Sequence, residues 1–312
     1  MSPSIIDEIK NNNIRLISKI ITDIENGTLS EKIKADLYPN TINSVRIGIT
    51  GPPGAGKSTI TNQLINQCIM NKESVGVIAI DPTSPFSGGA LLGDRVRMNK
   101  YHDTNKVFIR SMGNHGQLGG ISTKAHDVAD VLAASGKDLI IFETVGVGQA
   151  EHDIIRIADL VLVVLVPESG DEVQLMKAGL IEIGDIFAVN KSDRPGANKL
   201  ASRLKNTLHL RGNENKVENF IYNLTANEGI GIPELFLGIK NQIRSFERKK
   251  LLLDRRKKRY KYQVKKMIAK HLEKNFWNNF TNEYLEKTLN SIDMKTFSPE
   301  KIAKMLIQKE FK

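Results

Sequence analysis

The stretch VRIGITGPPGAGKST, residues 45–59, places a short β-branched run, a glycine-rich turn and a helix-like segment in immediate succession. From Gly51 to Ser58 the turn satisfies G-x-x-x-x-G-K-[ST], the pattern of a phosphate-binding loop between a strand and a helix. Gly51, Gly54 and Gly56, with Pro52, Pro53 and Ala55 between them, let the backbone curl until successive amides point at phosphate oxygens. The dipole of the following helix adds favourable potential. Lys57 is expected to reach the β and γ phosphates, Ser58 to ligate Mg²⁺ and Thr59 to help hold the α phosphate.

The remaining texture fits that start. Helical apolar spacing marks residues 4–38 (Ile14, Leu16, Ile17, Ile20, Ile21, Ile24), with a break at ENGTLSE where Thr28 or Ser30 would cap a second helix. From residue 45, runs such as SVGVIAI (74–80), KVFIRSM (106–112), DLIIFET (138–144), ADLVLVVLV (158–166), GDIFAVN (184–190) and NFIYNLT (219–225) alternate with helix-like segments. Near-continuous β-branched runs are strands buried on both faces, so the expected fold is α/β, a mostly parallel sheet with crossover helices. The boundaries read as an N-terminal helical extension (1–40), a phosphate-loop domain (41–245) and a C-terminal helical arm (246–312).

Composition narrows the class. The 312 residues suffice for one α/β domain with helical additions. The single cysteine excludes a disulfide framework, and scattered histidines give no zinc spacing. No apolar run is long enough to span a bilayer and no secretory signal opens the chain, so a soluble, cytoplasmic protein is expected. The formal charge of +10 is concentrated: residues 244–270 carry 13 Lys or Arg against Glu247 and Asp254. Such a stripe is either an anionic-partner footprint or a solvated or subunit-contact helix face. The spacing of Leu253, Tyr260, Val264, Met267, Ile268 and Leu272 favours the second over nucleic acid.

Ligands of a parallel sheet bind beyond the carboxyl ends of its strands, and the remaining polar clusters fall there. NKSD (190–193) has the form N-K-x-D: Asp193 would accept from N1 and N2 of guanine, Lys191 would lie along the base, and Asn190 would tie this loop to the phosphate loop. LTAN (224–227) adds Thr225, Ala226 and Asn227, with the Ala226 amide expected to face guanine O6. Asp81, Asp94 and Glu143 form an acidic set around the loop, suited to Mg²⁺ through water or directly, although Asp94 could instead cap a helix. Gly146 is positioned to donate its amide to a γ phosphate. GNHGQLGG (113–120) reads equally as a switch loop and as an ordinary turn.

With GPPGAGKST, AIDPTSPFSGGALLGDRVRM, FETVGVGQAE, PESGDEVQLMKAG and VNKSD in view, the chain resembles the MeaB/ArgK family of P-loop GTPases over essentially its whole length. Like that family, it has Glu143 where Ras-like GTPases commonly carry Asp. Thr83 departs from the more usual Ser. The resemblance implies a guanine-nucleotide switch that assists an adenosylcobalamin-dependent acyl-CoA mutase, such as methylmalonyl-CoA mutase, in cofactor loading and protection. It also implies that Lys57, Asp81, Asp94 and Glu143 form the phosphate and Mg²⁺ centre, that residues 170–177 sense the mutase, and that the C-terminal arm makes a homodimer. The rival functions are a kinase acting on periplasmic amino-acid-binding proteins, which NKSD opposes, a nickel-insertion GTPase, whose His or Cys tracts are missing, and a nucleic-acid-binding module.

Overall fold

The computed structural model describes residues 4–82, 101, 104–114, 123–144, 153–168, 179–210, 220–291 and 297–310. Residues 1–255 and 256–312 make two compact units.

Three helices open the chain: α1 (Ile5–Lys10), α2 (Ile14–Asn26) and α3 (Glu31–Leu37). Each has a capping side chain where the sequence supplies one: Ser4, Asn13 and Ser30 accept the backbone amides of Asp7, Leu16 and Ile33. Ser30, not Thr28, therefore starts the helix after the ENGTLSE break. Gly27, at φ 74°, closes α2 in the left-handed conformation that glycine adopts without a Cβ penalty.

Seven strands follow: β1 (Val45–Thr50), β2 (Val75–Pro82), β3 (Val107–Asn114), β4 (Leu139–Thr144), β5 (Leu160–Leu165), β6 (Ile186–Asn190) and β7 (Ile221–Leu224). They pair in the order β3-β2-β4-β1-β5-β6-β7, every pairing parallel. The crossover helices include α4 (Lys57–Met70), α5 (Thr123–Ala134), the short α6 (Leu180–Ile183) and α7 (Ala197–Leu210), and α8 (Ile232–Arg248) follows the last strand.

Alternation along each strand divides the core in two. In β4, Ile140 and Phe142 pack on one side with α2 and α5 through Ile17, Ile21, Val128 and Leu132. Leu139 and Ile141 pack on the other with α4 and α8 through Ile60, Leu64, Leu235 and Ile239. Both faces being covered explains why β5 is buried at all six positions. Each fully buried Ile or Leu contributes roughly 1.5–3 kcal/mol relative to exposure.

The order also locates the site. β1 lies between β4 and β5, and the chain reverses direction across the sheet there. The loop after β1 thus emerges at the topological switch point, where a crevice opens beyond the strands.

In the second unit, Asn278 caps α10 (Asn279–Ser291), accepting the Thr281 amide at 2.9 Å. That helix packs against α11 (Pro299–Glu310). The long α9 (Leu251–Phe276) precedes them. No helix among the described residues is long and apolar enough to cross a membrane.

At the amino-terminal edge of the sheet, Lys137 is almost wholly buried, its ammonium donating to Asn12 Oδ1 at 3.0 Å and the Asn105 carbonyl at 2.9 Å. Burial lowers its pKa from 10.5 to about 8, against an opposing pull from Asp138. Between those values the unfolded chain holds more protons than the folded one, so stability rises with pH through that window. Urea midpoints measured from pH 8 upward should rise for the wild type relative to Lys137→Met; parallel profiles would contradict the linkage.

Candidate functional site

The phosphate loop is shaped by what surrounds it. At Gly51, φ is 141° and a Cβ would come within 2.0 Å of the Val164 carbonyl oxygen on β5, so only glycine lets the chain leave β1 so close to its neighbour. At Gly56, φ is 91° and a Cβ would meet Asn190 Nδ2 at 2.2 Å. Gly56 is also the N-cap of α4 and supplies no side chain to the first-turn amides. Those amides, around Lys57, Ser58 and Thr59, suit an anion. Pro53 and Gly54 are exposed, while Ala55 and Lys57 are buried. Lys57 Nζ donates to the carbonyls of Gly51 and Pro52, both at 2.8 Å, which places the ammonium over the loop.

The acidic set comes from neighbouring strands. Glu143 lies beside Ile49 of β1 on one side and Ala79 of β2 on the other. Its Oε1 accepts a short hydrogen bond from the Ser58 hydroxyl. Next to it, the Thr144 hydroxyl is 3.1 Å from Thr50 Oγ1 and donates to the Ile49 carbonyl at 3.3 Å, locking the ends of β4 and β1 together. The Asp81 backbone lies at the carboxyl end of β2. Its side chain, Thr83, Asp94, Gly146, residues 115–120 of the glycine-rich segment and the loop at 170–177 lie outside the described residues.

Asn190 ends β6 and is 4% exposed. Its Nδ2 donates to the Ala55 carbonyl at 2.8 Å, and its Oδ1 accepts the Ala226 amide at 3.1 Å. One side chain thus joins the phosphate loop, the NKSD turn and the LTAN turn. The Ala226 amide, expected to face a guanine oxygen, is instead engaged with Asn190. Lys191 takes a left-handed φ of 56°, and Asp193 is exposed after it. Thr225 Oγ1 is 3.2 Å from Ser192 Oγ, and Asn227 is exposed on the same turn.

Two further supports have no motif to announce them. Gln63, on α4, donates to the Ala226 carbonyl at 2.9 Å. Arg194, directly after Asp193, pairs with Glu168 beyond the end of β5. That hydrogen bond holds the Glu168 carboxyl below its usual range. An Arg immediately after the N-K-x-D tetrapeptide is the only trace of this contact in the sequence.

His126, Asp127 and Asp130 on α5 have potential ligand atoms within 4.8 Å of one another. Their charges are already matched: Lys34 reaches Asp127 at 2.6 Å, while Arg46 pairs with Asp130 and His126 Nδ1 lies 3.3 Å from it. Burial works to raise the Asp130 pKa, but Arg46 and His126 hold it far below the carboxylate range. This is a charge-balanced strut.

Comparison with known proteins agrees with this geometry. The family model described as "Methylmalonyl Co-A mutase-associated GTPase MeaB" matches residues 17–281. A Pyrococcus abyssi protein that carries a provisional GTPase name is 39% identical over 312 residues, covering 99% of this chain and 96% of that one. A fused isobutyryl-CoA mutase of Cupriavidus metallidurans is 37% identical over 201 residues, which span 63% of this chain and 18% of that protein. The crystal structure of a LAO/AO transport system kinase shares the fold, with a TM-score of 0.71 at 23% identity, covering 99% of this chain and 97% of that one.

The Asn190 bridge makes a direct prediction. Asn190→Ala leaves the buried Ala55 carbonyl and Ala226 amide without their partner, at about 1–3 kcal/mol each. Urea unfolding should report a loss of roughly 2–4 kcal/mol; an unchanged midpoint would refute the bridging role.

Proposed function

Because the chain belongs to the MeaB family of methylmalonyl-CoA mutase-associated GTPases, we propose that it binds GTP with Mg²⁺, hydrolyses it to GDP and phosphate, and uses the cycle to assist an adenosylcobalamin-dependent acyl-CoA mutase in cofactor loading and protection. The observation that carries the nucleotide reading is the Asn190 side chain, which draws a phosphate loop and an N-K-x-D turn into one site. In this reading Asp193 accepts the N1 and N2 hydrogens of guanine. Adenine has neither donor there and would leave the carboxylate facing an acceptor, a mismatch of the kind that discriminates strongly between ligands. Lys191 lies along the base, Thr225 and Asn227 flank it, and the Ala226 amide acts through Asn190 instead of on O6.

The donor set near the phosphate loop fits Mg²⁺. The Ser58 hydroxyl and the Glu143 carboxylate are adjacent hard oxygen ligands, and Asp81 and Asp94 would complete the acidic set. When bound, the ion neutralises charge on the transferring phosphoryl group. Lys57 exchanges its two loop carbonyls for phosphate oxygens, and the Gly146 amide serves the γ phosphate. Catalysis is then positioning and charge neutralisation, and turnover stays slow until a partner completes the site.

The mutase reading is supported by the relative named as a fused isobutyryl-CoA mutase. Residues 170–177 would sense that partner. We assign the helices at 1–40 to an extension, 41–245 to the nucleotide domain and 246–312 to an arm through which two copies of this cytoplasmic protein associate. On the arm, Tyr260, Met267, Ile268 and Leu272 are each more than half exposed on one stripe of α9, a patch that a second copy would cover.

Two measurements test this. Asp193→Asn should shift preference from GTP toward xanthosine triphosphate, because the amide presents a donor where the carboxylate accepts; unchanged GTP affinity would overturn the base assignment. Light scattering coupled to gel filtration should show twice the 34.8 kDa chain mass and co-elution with a B12-dependent mutase that differs between GDP and a GTP analogue. GTP hydrolysis should be faster with that mutase present, and equal rates with and without it would sink the gated switch.

A further inference from the structure

The nucleotide site does not use the carboxyl-terminal half of α8. There, Asn241, Arg244, Ser245, Arg248 and Lys249 line a cavity of about 320 Å³. Their spacing of three, one, three and one puts them on a single face of the helix. The opposite face, carrying Ile239, Ile243 and Phe246, is buried in the core.

The polar groups of the lining are a pair of guanidinium groups, an ammonium, a hydroxyl and an amide, and no carboxylate is among the lining residues. Arg244 and Arg248 are one turn apart, where like charges repel. Among the described residues neither has an ion-pair partner. A helix C-terminus ordinarily disfavours an anion, but the end of α8 is partly quenched. The Ser245 and Glu247 carbonyls accept the Lys249 and Lys250 amides, with Lys250 closing the turn at a left-handed φ of 60°.

The cavity is also remote from the nucleotide loops. The start of α8 abuts β7 through Gly231, whose Cβ would lie 2.4 Å from the Asn223 carbonyl oxygen. Ser245 is 14 residues after Gly231, roughly 20 Å along the helix axis. Its volume falls at the lower end of the range of small-molecule pockets. A free phosphate would leave much of that space unused.

We propose that this face of α8 is a second anion site, which takes the phosphate ester or diphosphate group of a small molecule between Arg244 and Arg248. Each guanidinium group has the planar donor geometry that phosphate oxygens match. Ser245 and Asn241 supply neutral donors, and Lys249 adds a third charge. The site stands apart from the nucleotide reading, since none of its residues belongs to the loops around Gly51, Asn190 or Ala226.

The test is calorimetric titration of the full chain, preloaded with GDP, using inorganic phosphate, inorganic pyrophosphate and a sugar phosphate as separate probes at about 50 mM salt. Pyrophosphate and the sugar phosphate should each bind in a saturable way and more tightly than phosphate. Arg244→Ala/Arg248→Ala should weaken both at least tenfold. Thermal unfolding and GDP affinity should not change, because both side chains are exposed. Repeating the titration without GDP distinguishes the sites: binding that the double variant still loses belongs to α8, and binding that it keeps belongs to the phosphate loop. No saturable binding to any probe, phosphate binding as tightly as the esters, or a double variant within twofold of wild type would overturn the proposal.

Discussion

The two hydrogen bonds of the Asn190 carboxamide are what the site depends on. The side chain sits at the end of β6 with one end on the Ala55 carbonyl of the phosphate loop and the other on the Ala226 amide beyond β7. A carboxamide is the shortest side-chain group that donates and accepts in one plane, so no apolar or singly functional residue replaces it. Its burial makes the arrangement decisive, since either partner left alone would be a desolvated backbone group. Gly56 belongs to the same constraint, because the amide nitrogen occupies the space a Cβ would need.

The sheet supplies the frame in which that bridge can form. β5 and β6 are hydrogen-bonded neighbours, as are β6 and β7, and β1 pairs directly with β5. Three loops that lie far apart in the chain therefore emerge side by side. Close approach is essential: the backbone at Gly51 lies against the Val164 carbonyl with no room for a methyl group. The opposite edge of the sheet is held by charge. There Arg46, itself buried, pairs with Asp130, and its amide donates to Asp159 Oδ2 at 3.0 Å. Arg255 reaches Asp185 in a two-pronged contact, stacks 4.6 Å from the Phe246 ring centroid, and donates to the Asp159 carbonyl. Such pairs, the more buried the more so, contribute little net stability when intact but cost much when one partner is lost. They fix the edge from which the strands run toward the site.

What the sequence made legible was what repeats locally. The seven strands follow from uninterrupted β-branched runs, and their parallel direction from the helices between them. The phosphate loop and the N-K-x-D turn were readable because each is a contiguous word. Contacts made by single residues distant in sequence were not. Nothing in the chain marks Gln63 as a partner of Ala226, Arg46 as a partner of Asp130, or Lys137 as a clamp on Asn12 and Asn105. The Ala226 amide shows the same limit from the other side. Its position in LTAN suggested a ligand contact, but the Asn190 oxygen, 36 residues away, claims it first. The basic segment was legible as a total charge and not as a shape. Only the fold separates Arg255, which is paired, from Arg244 and Arg248, which line a cavity.

Glu143 illustrates how a one-carbon difference follows from that frame. Its Cα is in register with Ile49, one strand away from the chain that becomes the phosphate loop. Ser58, the hydroxyl it must reach, lies on the first turn of the helix that follows the loop. The extra methylene of glutamate, compared with aspartate at the same register, extends the carboxylate across that gap to the Ser58 hydroxyl. Thr144 next to it holds the strand ends through Thr50, so the reach is made by the side chain and the backbone stays fixed. A strand-end carboxylate in this position would be costly without a donor or a cation, and the serine of the phosphate loop supplies the first of these. The acid and the hydroxyl are thereby oriented together at one corner of the sheet.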